Sequence, residues 1–330
     1  MSQLNLVLPG IIWPEIADYE YLIKQLDIPN LSKLCTKAKL QKADFCYSDF
    51  IYSNYDYSAG SLATSYAKKL NIIAEFSSFL IVEPTHLRAD RDRLLIAEAE
   101  LLQLNTEEAE IIINAINQHF SGELKLYLLE DDLWLLGTNL DLADLVSYPI
   151  IDIVGENIDD FLPQGKSRLA LHKILNEIQM LLFNLPLNQQ RQDEGLMMVN
   201  SLWFWDKQNP KQEVTSMQMI QTNQQLNQQI ININSLVEAE EKTLIINNGY
   251  FAARYRDSFA WTQQMNQFEH EVVPKLLKLL SSRKLRQINI LIPGLDGGWR
   301  LSVKSLDLWC FWRKKTWLEL MESISSSNQS

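Results

Sequence analysis

The chain has 330 residues, of which 46% are hydrophobic and 22% are charged, and its formal net charge at pH 7 is −11. This composition is typical of a globular protein with one large domain or two. The negative charge disfavours binding to nucleic acid or to an anionic membrane surface. No apolar run reaches the roughly 18 to 20 residues of a membrane-spanning helix.

The cysteines and the first residues bear on the compartment. Cys35, Cys46 and Cys310 are odd in number and match no zinc or redox spacing, so we interpret them as reduced thiols. The first residues lack the positive region and the cleavage site of a secretory signal. The sequence therefore predicts a soluble, cytoplasmic protein.

The first part of the chain has the pattern of an α/β sheet. Residues 4–12 are largely apolar and predict a short buried strand that ends at Pro9-Gly10. A helix is expected to follow that strand. Residues 61–70 have helical spacing, and residues 76–82 predict a second buried strand.

Residues 85–194 differ in pattern and predict a compact α+β module. Thr106 is placed to cap a helix over 106–120. Residues 124–136 predict a β-hairpin, and residues 167–184 predict a long amphipathic helix. An earlier helix of the module is predicted from leucine spacing, at Leu94, Leu95, Leu101 and Leu102.

The last part returns to the α/β pattern. Residues 199–205 predict a strand, and the Gln- and Asn-rich residues 207–228 predict a surface excursion. A strand over 243–247, a helix around 254–280 and a strand over 287–292 follow.

Two predicted strands end in the same dipeptide. Pro9-Gly10 follows the first strand, and Pro293-Gly294 follows the last. Ligands of open α/β sheets bind at the carboxyl ends of strands. The two dipeptides therefore indicate one sheet edge at which a ligand site is expected.

A spaced polar motif precedes the strand over 199–205. Asn188, Arg191, Gly195 and Asn200 fall within thirteen residues. A planar guanidinium pairs with carboxylate or phosphate through two hydrogen bonds, so we predict an anion-binding set of Asn188, Arg191 and Asn200. The alternative is structural: the polar side chains tie the module to the next strand, and Gly195 serves a turn with positive φ.

The spacing of this motif resembles that of the archaeal-type cofactor-independent phosphoglycerate mutases of the alkaline phosphatase superfamily. It resembles still more closely a bacterial group of phosphoglycerate-mutase-like, RpfE-type regulatory proteins. The resemblance implies an alkaline-phosphatase-like α/β core with a mostly parallel sheet between helices. That core is expected to be discontinuous, over residues 1–84 and 195–330, with the α+β module inserted over 85–194.

The superfamily's enzymes use two divalent metals and a Ser or Thr nucleophile. Their first strand ends in Asp-Gly and their last is followed by Asp-His, whereas this chain has Pro9-Gly10 and Pro293-Gly294-Leu295-Asp296. We therefore expect no metal site and no cofactor. Ser48 and Asp49 partly resemble the family's nucleophile segment and are the candidate catalytic residues; the alternative is a polar loop.

Two functions follow from the resemblance. The first is a catalytically degenerate, regulatory protein that keeps an anion pocket for a phosphorylated small molecule and binds a protein partner. The alternative is an active phosphoglycerate mutase or phosphohydrolase that uses Mn²⁺, Mg²⁺ or Zn²⁺. For the partner surface we consider residues 207–234 and the Trp-rich segment from Trp299 to Trp317, in which Trp309, Trp312, Arg313 and Trp317 are the candidate anchors. The alternative is that these tryptophans are interior.

Overall fold

The computed structural model describes residues 2–90, 93–97, 102–208, 214, 218–220, 242–247, 249–295, 297–309 and 316–326. Predictions about other positions lie outside the described residues. They concern Leu101, most of the stretch 207–234, Asp296, Cys310, Trp312 and Arg313.

The β-strands of the described residues are numbered in chain order. They are β1 Ser2–Val7, β2 Lys39–Ala43, β3 Ser78–Thr85, β4 Leu87–Asp90, β5 Arg93–Ile96, β6 Leu124–Glu130, β7 Leu133–Thr138, β8 Ser201–Trp205, β9 Gln218–Ile220, β10 Lys242–Ile245, β11 Leu285–Ile292 and β12 Gly298–Lys304.

The α-helices are numbered in the same way. They are α1 Tyr19–Ile23, α2 Pro29–Thr36, α3 Tyr47–Ile51, α4 Leu62–Lys69, α5 Thr106–His119, α6 Ile150–Ile153, α7 Arg168–Phe183, α8 Pro186–Asp193, α9 Tyr250–Arg254, α10 Ser258–Glu271, α11 Val273–Ser281 and α12 Trp317–Ser326. None of these described helices has the length and apolar character that crossing a bilayer requires.

The chain forms two compact units. The first comprises Met1–Asn54 and Lys211–Ser330, and the second comprises Tyr55–Pro210. These boundaries differ from the predicted ones at 84/85 and 194/195. The reason is strand pairing: β3 pairs with both β7 and β8 in one sheet, so the strands that flank the predicted module belong to the same unit as the module.

The first unit has a six-stranded sheet in the order β2-β12-β11-β1-β10-β9. The pairs β11-β1, β1-β10 and β10-β9 are parallel, whereas β12 and β2 add an antiparallel edge. Alternate strand residues such as Leu4, Leu6, Ile288 and Ile290 face a core that helices α2, α10, α11 and α12 complete. The predicted α/β class with a mostly parallel sheet is confirmed.

A line of polar side chains crosses the sheet of the first unit. Asn289 Nδ2 donates to Asn5 Oδ1 at 2.8 Å, and Asn5 Nδ2 donates to Thr243 Oγ1 at 3.3 Å. Ser302 Oγ donates to Asn289 Oδ1 at 2.8 Å. Asn5, Thr243 and Asn289 are buried, and these bonds satisfy polar groups that would otherwise be costly in a core. The line joins β10, β1, β11 and β12 in register.

The second unit has an antiparallel sheet in the order β6-β7-β3-β8. Helices α5 and α7 pack against it through Ile112, Ile116 and Ile178, which meet Trp134 and Phe204 of the sheet. The predicted hairpin and both amphipathic helices are confirmed. One detail differs, since Asn105 rather than Thr106 caps α5: Asn105 Oδ1 accepts a hydrogen bond from the Glu108 N–H.

One helix prediction is wrong, and another is confirmed as helical but not as a single helix. Leu94 and Leu95 lie in β5, which forms a hairpin with β4, because cross-strand pairing supplies the backbone hydrogen bonds and their spacing fits a strand as well as a helix. The predicted helix around 254–280 is divided into α9, α10 and α11. The break between α10 and α11 precedes Pro274, which has no backbone N–H to continue a helix.

Candidate functional site

The polar motif of the sequence begins on a helix and not at the mouth of a strand. Pro186 occupies the first position of α8, where a proline is favoured. Asn188 and Arg191 are three residues apart on this helix and therefore share a face. Both side chains are buried.

The guanidinium of Arg191 is held by three protein groups. Its Nη1 donates to Glu108 Oε1 at 2.5 Å, its Nε donates to the Met197 carbonyl at 2.8 Å, and its Nη2 donates to the Leu102 carbonyl. The Arg191 side chain is 0% exposed and that of Glu108 is 13% exposed. Glu108 therefore already neutralises the charge that an anionic ligand would need.

Asn188 joins helix α7 to the approach of β8. Its Nδ2 donates to the carbonyls of Leu182 and Val199, both at 2.7 Å, and its Oδ1 accepts from the Val199 N–H at 2.9 Å. A primary amide has two donors and two acceptor positions, so three of these four are used inside the protein.

Asn200 and Gly195 complete the same connection. Asn200 Oδ1 accepts from the Leu87 N–H at 2.7 Å, and its Nδ2 donates to the Leu87 carbonyl at 2.8 Å. Gly195 has a φ of +77°, and the following residue, Leu196, donates its N–H to the Arg191 carbonyl at 2.8 Å. This is how a helix commonly ends. The structural alternative thus accounts for every member of the motif. The anion-binding role of Asn188, Arg191 and Asn200 stays a prediction.

Ser48 and Asp49 lie in the short helix α3 of the first unit. Both are buried. Asp49 Oδ2 accepts from the Cys46 N–H at 2.9 Å, and the Cys46 Sγ lies 3.1 Å from Ser48 Oγ. Asp49 is therefore part of the capping box of α3. The catalytic role of Ser48 and Asp49 stays a prediction.

The histidines contribute structural contacts. His86 Nδ1 lies 2.9 Å from the Met198 carbonyl, His172 Nε2 lies 3.1 Å from the Pro163 carbonyl, and His119 Nε2 lies 3.7 Å from Glu177 Oε2. Within the part of the chain that the structure describes, no group of three or more His, Cys, Asp or Glu side chains is placed to hold a metal ion.

A cleft lies where the sequence predicted a ligand site. Strands β1 and β11 are parallel neighbours, and the Pro-Gly dipeptides follow their carboxyl ends. The cleft has a volume of about 270 Å³, slightly below the roughly 300–1,000 Å³ of typical ligand pockets. Its described lining residues all belong to the first unit: Gly10, Ile12, Trp13, Pro14, Tyr250, Ala253, Arg254, Ile292, Pro293, Gly294, Leu295, Trp299 and Ile324.

The glycines of the two dipeptides fix the shape of this edge. Gly10 has a φ of +75°, and a Cβ there would lie 2.6 Å from the Tyr250 Cα. The Gly10 carbonyl accepts from Trp261 Nε1 at 2.8 Å. A Cβ at Gly294 would lie 2.4 Å from the Gly297 carbonyl oxygen. The backbone thus comes close to its neighbours at both strand ends, and a larger residue would displace them.

The described lining of the cleft combines aliphatic and aromatic side chains with polar groups, which include the Arg254 guanidinium and the Tyr250 hydroxyl. The Arg254 guanidinium carbon lies 5.9 Å from the centroid of the Tyr250 ring. Trp299 Nε1 is buried and has no hydrogen-bond acceptor among the described residues. Arg254 is the one charged side chain in the described lining. This lining does not fit a divalent metal pair, because its described residues include no Asp, Glu, His or Cys.

Sequence reasoning located this edge but missed most of its walls. Pro9-Gly10 and Pro293-Gly294 indicated the position of the cleft. The sequence did not predict that Trp13, Tyr250 and Arg254 line it. Trp13 follows Gly10 by three residues, which is a signal that was present. Tyr250 and Arg254 are placed only by the packing of α9.

The predicted tryptophan surface is divided. Trp317 is 5% exposed and belongs to the core, as the interior alternative expected. Trp309 is 79% exposed, and Leu306, three residues earlier in the chain, is 69% exposed. Trp312 and Arg313 lie outside the described residues. The partner surface therefore stays a prediction that rests on Trp309.

Comparison with known proteins gives matches over part of the chain. No protein-family model matches. A 2,3-bisphosphoglycerate-independent phosphoglycerate mutase of Methanosarcina mazei is 32% identical over 105 residues, which are 31% of this chain and 26% of that protein. A probable enzyme of the same kind from Geobacter sulfurreducens is 37% identical over 132 residues, which are 38% of this chain and 31% of that protein. The chain thus matches less than a third of the length of either relative.

Two solved structures also match. A protein of Pyrococcus horikoshii, PH0037, has a TM-score of 0.43 at 13% identity, with 92% of this chain and 87% of that chain covered. The cofactor-independent phosphoglycerate mutase of Thermoplasma acidophilum has a TM-score of 0.36 at 15% identity, with 99% of both chains covered. At scores below 0.5 neither match bears on fold or function. Over about a third of its length, this chain is similar in sequence to 2,3-bisphosphoglycerate-independent phosphoglycerate mutases.

Proposed function

We propose that this phosphoglycerate-mutase-like chain acts by binding a small molecule and not by phosphoryl transfer. One observation carries the proposal: the cleft at the carboxyl ends of β1 and β11 is walled by Trp13, Tyr250 and Trp299, with Arg254 as the charged side chain of its described lining. Two-metal phosphoryl transfer needs carboxylate and imidazole ligands around the transferred group. Aromatic walls with one guanidinium are suited to binding a small molecule and supply no ligands for two metal ions.

The test is an activity measurement on the purified full chain. Interconversion of 2- and 3-phosphoglycerate and hydrolysis of p-nitrophenyl phosphate are measured with added Mn²⁺, Mg²⁺ or Zn²⁺, beside the Methanosarcina mazei relative as positive control. We expect no turnover above background, and no metal bound in stoichiometric amount by elemental analysis.

An active metal-dependent mutase or phosphohydrolase is the second candidate, because the curated relatives are named as phosphoglycerate mutases and Ser48 lies next to Asp49 in the first turn of α3. It predicts turnover that depends on an added metal and is lost in Ser48→Ala and Asp49→Asn. That result would replace the binding function. Activity unchanged in both variants would point to a contaminating enzyme.

A regulatory role through a protein partner is a further part of the proposal. The exposed side chains of Leu306 and Trp309 support it, because large apolar side chains that stay exposed in a monomer are often covered in a complex. Trp309→Ser is expected to leave the melting temperature unchanged and to weaken association with any partner found by crosslinking. Unchanged association would remove Trp309 from the role.

A further inference from the structure

The first unit carries a concentration of basic residues although the whole chain is acidic. Residues 28–43 contain four lysines, and residues 272–295 contain five lysines and arginines, while neither segment contains an Asp or a Glu. Residues 297–306 add Arg300 and Lys304, again without an acidic residue. The formal net charge of the chain is −11, so this basic character is local. Charge complementarity calls for an acidic partner.

Strand pairing brings the three segments together. Residues 28–43 include β2, residues 272–295 include β11, and residues 297–306 include β12. Strand β12 pairs with β11 on one side and with β2 on the other. Helices α2 and α11, which belong to the first two segments, contribute to the same core. The three segments therefore form one side of the sheet, and β2 is the last strand on that side.

Strand β2 is exposed to solvent. It pairs with β12 and with no other described strand, so the N–H and C=O groups that point away from β12 are not bonded to a described strand. Lys39, Gln41 and Lys42 are exposed, whereas Leu40 packs against the core. Neither lysine forms an ion pair with another described residue. An edge of this kind can accept a further strand from a partner.

A second copy of this chain does not suit this edge. Antiparallel pairing of two β2 strands over residues 39–42 would place Lys39 of each copy directly opposite Lys42 of the other. Like charges directly opposite each other destabilise a strand pair. Lysines on an edge strand thus prevent association of identical edges, and the same positive charge favours a strand that carries carboxylates.

A short acidic segment suits the edge better than a long polyanion does. Nucleic acid and an anionic membrane extend well beyond one Debye length, which is about 8 Å at physiological ionic strength. They therefore meet the negative charge of the rest of the chain. A short peptide segment meets only the nearby lysines, and it offers backbone N–H and C=O groups at the spacing of the open side of β2.

The spacing of the two lysines gives the pattern of the partner. Residues three apart on a strand point to opposite faces of the sheet. We propose that β2 binds an extended acidic segment of a protein partner by strand addition, with two carboxylates three residues apart opposite Lys39 and Lys42. The proposal is independent of the cleft, and it rests on the regulatory role above only in that both need a protein partner.

The experiment measures the binding of a fluorescent, end-blocked peptide, Thr-Glu-Val-Thr-Glu-Thr, to the full chain by fluorescence anisotropy at about 50 mM salt. The control peptide is Thr-Glu-Val-Glu-Thr-Thr, which has the same composition but carries both carboxylates on one face of a strand. We expect the first peptide to bind about fivefold more tightly than the second. Higher salt should weaken its binding.

Methylation of the peptide backbone distinguishes strand addition from attraction between charges alone. Successive N–H groups of a strand point to opposite sides within the sheet. Of two peptides that are N-methylated at even or at odd positions, one therefore loses the donors that face β2. We expect that peptide to bind at least about tenfold more weakly and the other to keep its affinity. Equal affinity of the two would contradict strand addition.

Variants of the chain locate the binding. Lys39→Gln combined with Lys42→Gln is expected to weaken peptide binding about fivefold to tenfold. The matched control is Lys68→Gln combined with Lys69→Gln, because both of these lysines are exposed at the end of α4 in the second unit. It should leave the affinity unchanged. Addition of the peptide should also protect the backbone amides of residues 39–43 from hydrogen exchange. Melting curves confirm that each variant is folded.

Three further outcomes would overturn the proposal. The first is no saturable peptide binding at about 1 mM protein, in which case the lysines only protect the edge. The second is peptide binding that Lys39→Gln with Lys42→Gln leaves unchanged. The third is tighter binding of single-stranded DNA or of phosphatidylserine vesicles that the same double variant weakens. The activity measurement and Trp309→Ser test the proposed functions separately, because neither involves β2.

Discussion

Arg191 and Glu108 form an ion pair across 83 residues of sequence, with the Arg191 Nη1 2.5 Å from the Glu108 Oε1 and the arginine fully buried. Removal of one member of such a pair leaves the other buried without compensation. We expect Arg191→Ala to lower the free energy of unfolding by about 3–5 kcal/mol, measured by urea denaturation. Glu108→Ala should also destabilise. The neighbouring Glu107→Ala is the control, because Glu107 is exposed on the first turn of α5.

The same variant separates the structural role of Arg191 from the predicted anion site. The structural role implies that phosphate or 3-phosphoglycerate leaves the melting temperature of the wild-type chain unchanged. A rise with either anion that Arg191→Ala abolishes would restore the anion-binding role of Asn188, Arg191 and Asn200. Thermal shift measurements over a range of anion concentrations, with sulfate included, decide between the two.

Asn188→Ala tests the connection between α7 and β8. The substitution leaves two carbonyls and one N–H without the partner that Asn188 provides. We expect a loss of about 3 kcal/mol in the free energy of unfolding, again by urea denaturation. Gln189→Ala, one residue away and exposed, should change it by less than about 0.5 kcal/mol. A similar small effect at both positions would show that the hydrogen bonds of Asn188 are not stabilising.

Glu83 should make the stability of the second unit depend on pH. Burial raises the pKa of the Glu83 carboxyl from its ordinary value of 4.5 to about 7, although the hydrogen bond that Trp205 Nε1 donates to it works in the opposite direction. The unfolded chain loses this proton near pH 4.5, while the folded chain keeps it up to about pH 7. The contribution of Glu83 to the free energy of unfolding is therefore fully present below pH 4.5, and it is lost as the pH rises to 7.

Between pH 4.5 and pH 7 the titration of Glu83 should lower the free energy of unfolding by up to about 3 kcal/mol. Glu83→Gln should remove it, since an amide does not titrate in this range, and the difference between wild type and variant isolates Glu83 from other groups. Urea denaturation at several pH values from 4 to 8 measures it. Parallel pH profiles for the two proteins would contradict the raised pKa.

Gly10→Ala should damage the edge of the first sheet. A Cβ at Gly10 would require both a positive φ and a contact of 2.6 Å with the Tyr250 backbone. We expect a loss of more than about 2 kcal/mol in stability. The control is Gly122→Ala, where φ is +86° and no atom lies within 4 Å of the added Cβ. It should cost about 1 kcal/mol, from the φ alone. Equal losses at both sites would contradict the close approach of Gly10 to Tyr250.

The sequence by itself determined the local features of the fold. The amphipathic spacing of residues 106–119 and 168–183 predicted α5 and α7, because a helix repeats every 3.6 residues and so places its apolar side chains on one face. Apolar runs predicted β1 and β11, and Pro9-Gly10 and Pro293-Gly294 gave the edge at which the cleft lies. Each of these signals depends on residues that are neighbours in sequence.

Only the tertiary structure decided what depends on distant partners. Leu94 and Leu95 are in a strand because β4 pairs with β5. The carboxylate that neutralises Arg191 comes from Glu108, far away in sequence, so the motif spacing alone left an anion site and a structural connection as alternatives. The walls of the cleft depend on helix α9, which brings Tyr250 and Arg254 to a strand end at Gly10. The sequence shows which hydrogen bonds and ion pairs a side chain is able to form. Which partners it has depends on the packing of residues that are distant in sequence.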